Sequence, residues 1–147
     1  MLSFFSSKAV VQNESHMKNL ILMAKSDNSI DKTEVDVIMT IGVERGFTRQ
    51  QVREFIKNTD KANIIQPETP RGMFEQLYDL TRVMCADGVI EDDEMEFVTG
   101  FANKLGFRKT SSAFIVDRIL EGMEEKLGKD EIFEATKIFM RTKLGEE

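Results

Sequence analysis

The stretch that decides the fold is Asp87-Gly88-Val89-Ile90-Glu91-Asp92-Asp93-Glu94, together with its echo sixty residues earlier, Asp27-Asn28-Ser29-Ile30-Asp31-Lys32-Thr33-Glu34. In both copies an acid and a turn-forming residue precede an isoleucine, and a glutamate follows four positions later. That order reads as a turn leading into a helix. Gly88 or Asn28 tolerates positive φ, the isoleucine enters the core, and the glutamate reaches back from N3 to cap the helix start. Asp31 to Glu34 and Thr48 to Gln51 both fit a capping box. Glu91 is a poorer N-cap residue than Ser, Thr or Asp.

A shift of 60 residues superimposes the chain on itself without a gap. Leu20 meets Leu80, Asp27 meets Asp87, Ile30 meets Ile90, Glu34 meets Glu94, Gly46 meets Gly106 and Phe47 meets Phe107. The identities cluster at turns and caps, where backbone geometry is most demanding. Gly46-Phe47 and Gly106-Phe107 read as helix ends, the glycine in the left-handed C′ position and the phenylalanine folded back.

Apolar residues recur at helical spacing, and no alternating strand pattern is present. The successive faces are Met17, Leu20, Ile21, Ala24; Val35, Ile38, Met39; Val52, Phe55, Ile56; Phe74, Leu77, Tyr78, Thr81, Met84, Cys85. They continue with Met95, Val98, Phe101, Ala102, Leu105; Phe114, Ile115, Ile119, Met123, Leu127; and Phe133, Thr136, Phe139, Met140. The expectation is an all-α chain of about seven helices. Two related three-helix units, about 14–58 and 74–127, flank a loop from Asn63 to Thr69, and a last helix closes a single domain over 1–147.

Composition narrows the chemistry. The 147 residues include one cysteine (Cys85) and one histidine (His16), which leaves no internal disulfide, no cysteine-based zinc cage and no histidine-rich site. His16 is expected at the surface and Cys85 in the core. A net charge of −6 argues against a nucleic-acid partner. No apolar run approaches the ~20 residues of a membrane span, and the start lacks a signal-peptide pattern. A cytoplasmic protein is expected.

The second turn resembles the back half of an EF-hand loop, but positions one and three would be Val83 and Cys85, which cannot supply the oxygens. The acids from Asp87 to Glu96 still suit a hard divalent cation such as Ca2+. Asp87, Glu91 and Glu94 are the candidate ligands, with Asp27, Asp31 and Glu34 as the poorer counterpart set. The basic residues Arg45, Arg49, Arg53 and Lys57 run at four-residue spacing. They form a candidate partner-binding face for acidic surfaces. No phosphate loop, metalloprotease pair or nucleophile elbow is present, so no catalytic residue is assigned.

Ala86-Asp87-Gly88-Val89-Ile90, followed by Glu94 and Leu105-Gly106-Phe107, resembles the turn of TerB-like domains of the tellurite-resistance family. The resemblance covers roughly residues 14–143, and Ser3-Phe4-Phe5 is similar to the start of some TerB proteins. It implies an all-helical cytoplasmic module of two related halves, linked to stress response and tellurite resistance, that acts by protein–protein contact with membrane-associated partners. It also implies metal binding at Asp87 and Glu94, with Asp27 and Glu34 as counterparts. Asn28 departs from the family's glycine. The alternative from another class is a small metal-dependent enzyme using the acidic turn.

Overall fold

A computed structural model describes residues 3–26, 30–59, 64–88 and 90–140; of 3–7 and 138–140 only the backbone is described. Leu2, Asp27, Asn28, Asn63, Val89 and the side chains of Phe4, Phe5, Phe139 and Met140 therefore lie outside the described residues. Among the described residues there are seven helices and no strand. The chain divides into two compact units, Met1–Ile65 and Gln66–Glu147.

The first unit holds α1 (Ser3–Ser26), α2 (Lys32–Glu44) and α3 (Arg49–Asn58), each touching the other two. The second holds α4 (Pro70–Met84), α5 (Asp92–Lys104), α6 (Lys109–Glu124) and α7 (Lys129–Met140), with α4 packed on the other three. The bounds of α2 and α5 differ by 60 residues at both ends, and α3 and α6 start 60 apart. The two copies, about 14–58 and 74–127, fall one in each unit.

Three junctions share one construction. After α2, Phe47 N–H donates to Gly42 O (3.0 Å) and Gly46 N–H to Val43 O (3.0 Å), with Gly46 at φ 97°. After α5, Phe107 donates to Ala102 O (3.0 Å) and Gly106 to Asn103 O (3.1 Å), with Gly106 at φ 115°. After α6, Leu127 donates to Gly122 O (2.9 Å) and Lys126 to Met123 O (3.0 Å), with Lys126 at φ 63°. Each pair is the double hydrogen bond that ends a helix with a left-handed residue. The residue whose carbonyl accepts the long bond is small each time, because the next helix crosses there. A Cβ on Gly42 would sit 2.3 Å from Val52 Cγ2, and one on Gly122 would sit 2.5 Å from Ile132 Cγ1. In both cases the neighbour lies ten residues on. At the middle junction those two places hold Ala102 and Ser112, both buried.

Side-chain caps hold the starts of α3 and α4. Thr48 Oγ1 accepts from Gln51 N–H (3.1 Å) while Gln51 accepts from Thr48 N–H (2.8 Å). Thr69 accepts from Gly72 N–H (2.9 Å) ahead of Pro70, whose missing donor costs nothing in the first turn. Lys25 donates to the carbonyls of Ile56 and Thr59, closing the short α3. Its counterpart is Cys85, and there α6 runs on beyond the corresponding point, so no cap is required.

Burial departs from the sequence expectation at several places, and Ile30 and Ile90, expected in the core, are only half-buried. His16 is buried, as is its counterpart Gln76, because both lie beside the packed stripe of their helices. Cys85 is only half-buried, at the C-cap of α4. Phe114 is 45% exposed, since Ile115, Ile119 and Gly122 centre the packed face of α6 and a neighbour lies about 100° around. Leu127 is 37% exposed and belongs to the turn after α6 rather than to the helix.

Candidate functional site

The acidic turns hold their helices through the backbone. Asp31, at the N-cap of α2, accepts from Glu34 N–H (2.8 Å) and from Thr33 Oγ1 (2.7 Å). Glu34 returns the contact by accepting from Asp31 N–H (3.1 Å). The Glu34 amide, and then the Thr33 hydroxyl, hold the Asp31 carboxyl below the ordinary aspartate value. In the second copy Glu94 accepts from Glu91 N–H (2.9 Å), while Glu94 N–H donates to Asp93 Oδ1 (2.9 Å). The reach-back survives, and the Glu94 amide also meets the carboxylate of neighbouring Asp93.

Ahead of that helix, Gly88 sits at φ 103° and donates to Cys85 O (2.8 Å), with Asp87 exposed beside it. Burial, and then the charges of Glu94 and Asp87, push the Cys85 thiol up, away from the reactive thiolate. Asp87, Glu91, Asp92, Asp93 and Glu96 are all exposed. Among the described residues no three His, Cys, Asp or Glu side chains meet in an arrangement able to hold a metal ion. Successive positions of one helical turn point their carboxylates around the axis rather than to one centre.

The basic stripe is shorter than its spacing suggests. Arg45 is the C-cap of α2, and its guanidinium donates to Asn13 Oδ1 (3.0 Å) on α1, so it leaves the stripe. Arg49, Arg53 and Lys57 remain, all exposed on α3 at i, i+4 and i+8. Over eight residues the three charges span about 12 Å of helix. Half-buried Ile56 lies next to Lys57 and adds apolar surface beside them.

A third feature was not marked by sequence reading. The outer face of α6 carries a depression of about 480 Å³ lined by Phe114, Asp117, Arg118, Leu120, Glu121 and Glu124. Arg118 stacks over the Phe114 ring (5.4 Å) and pairs with Glu121 (2.9 Å). The available signal was the phase of Ile115, Ile119 and Gly122, which places Phe114 off the packed stripe. No helix among the described residues is long and apolar enough to cross a membrane.

No family model, curated protein or solved structure matches the chain. The resemblance to TerB-like domains is carried by the quoted residues alone.

Proposed function

We propose that this chain is a TerB-like interaction module that grips an acidic protein surface through Arg49, Arg53 and Lys57 on α3. The observation carrying this reading is the stripe itself: three exposed cations at helical repeat on one short helix. The unit around it is nearly neutral, with 9 bases against 8 acids in residues 1–65, so the stripe is a local concentration of positive charge. The resemblance to TerB-like domains, and the stress-response role it implies, supports a binding rather than a catalytic part. Capping, visible at Asp31, Glu34 and Glu94, accounts for three of the six acids that a metal-dependent reading would need as ligands.

The test is titration of a fluorescent helical peptide bearing glutamate at i, i+4 and i+8. Binding is expected at low ionic strength and should weaken with added salt. The double reversal Arg53→Glu/Lys57→Glu is expected to weaken it roughly tenfold or more, about 1.4 kcal/mol. Affinity indifferent to both salt and reversal would overturn the reading.

A further inference from the structure

The helix that carries the basic stripe has a counterpart 60 residues on, α6, whose second half and C-cap carry an acidic row. Arg49, Arg53 and Lys57 stand at i, i+4 and i+8 of α3; Asp117, Glu121 and Glu125 stand at the same spacing along α6 and its C-cap. All six residues are exposed. The charge rows therefore match in length and step, and each has apolar surface beside it. On α6 that surface is Phe114, 45% exposed, and half-buried Leu120 in the depression; on α3 it is half-buried Ile56.

We propose that the occupant of the α6 face is α3 of a second copy of this chain, and that copies associate head to tail. The proposal rests on the reading of the α3 stripe as a binding face and names its partner. Arg118 pairs with Glu121 and stacks on the Phe114 ring, so it offsets one charge of the row, while exposed Asp117, Glu124 and Glu125 keep the face acidic. The two patches differ, so the contact is heterologous: one copy offers its α3 and leaves its α6 for the next. The interface is small and charged. Association is accordingly weak, fast and salt-sensitive.

Sedimentation of the full chain at low and high salt tests this, with circular dichroism to confirm that each variant folds. At low salt the average mass should climb above 16.8 kDa with concentration, and high salt should return it to the monomer. Arg53→Glu alone and Glu121→Lys alone should each weaken association roughly tenfold or more. An equimolar mixture of the two should associate again, because the intact α3 of the Glu121→Lys chain then meets the intact α6 of the Arg53→Glu chain. A constant monomer mass, or association untouched by either reversal, would overturn the proposal. If the monomer still binds the glutamate peptide through Arg53 and Lys57, only self-association fails; if that binding is lost too, the α3 reading falls with it.

Discussion

At the scale of single residues, the three helix junctions differ in one informative way. Gly46 and Gly106 occupy the left-handed position without a Cβ, whereas Lys126 holds φ 63° with one. The left-handed conformation costs an L-residue about 1–2 kcal/mol, part of which a glycine would return to the unfolded chain as entropy. Lys126→Gly is therefore expected to stabilise the protein by about 0.5–1 kcal/mol, read as a higher urea midpoint with unchanged slope. No gain would mean that the Lys126 side chain earns its place by contacts the turn geometry does not require. Gly42 presents the reverse case. Alanine improves helix propensity by up to about 1 kcal/mol, but its methyl would lie 2.3 Å from Val52 Cγ2. Overpacking of this kind costs about 1–3 kcal/mol, so Gly42→Ala should destabilise on balance. Val52→Ala in the same chain should recover part of the loss, giving a coupling energy of about 0.5 kcal/mol or more in a double-mutant cycle. Strictly additive effects would show that the two helices separate rather than clash.

At the scale of elements, what was legible in the sequence is what the backbone demands locally. Glycine before phenylalanine marks two helix ends, and Asp31 and Thr48 with their N3 partners mark two starts; the structure places hydrogen bonds at all four. The 60-residue echo likewise reappears in the bounds of α2 and α5. The third junction escaped because Lys126 carries no signature of a left-handed turn, and Leu127 then reads as one more helical apolar residue. Arg45 was misplaced because four-residue spacing continues across a helix end, while direction does not. Its side chain belongs to α2 and turns to Asn13. Phe114 was assigned to the core because an apolar residue beside Ile115 satisfies a count of apolar positions but not the phase of the helix. His16 shows the converse: a polar type was read as surface, yet the same position in the second unit also buries a polar residue, Gln76. The acidic turn was legible as a cap and as a concentration of charge. Whether carboxylates converge depends on directions around a helix axis, which spacing alone does not convey.

At the scale of the whole molecule, the charge of −6 is very unevenly divided. Residues 1–65 carry 9 bases and 8 acids, whereas residues 66–147 carry 11 bases and 18 acids, a net −7. The densest segment, Asp87 to Glu96, has no base and is exposed along most of its length. Helix N-termini offset part of this repulsion at Asp92, Asp93 and Glu94, but the dipole's effect fades within one turn. The unit of residues 66–147 is thus left repelling itself, and mobile ions should relieve it. Melting temperature is expected to rise with salt, most steeply below about 0.1 M, where the screening length falls through ~10 Å. If the carboxylates act as caps and diffuse charge, NaCl, MgCl2 and CaCl2 should act alike once matched for ionic strength. A site formed by Asp87, Glu91 and Glu94 would behave otherwise. Calcium would then stabilise at micromolar concentration against a background of 0.15 M NaCl, and Asp87→Asn would abolish the increment. Thermal melts in those three salts separate the cases, since screening has no stoichiometry and a ligand set does. The absence of a calcium-specific step is the outcome that the cap hydrogen bonds at Glu91 and Glu94 lead us to expect.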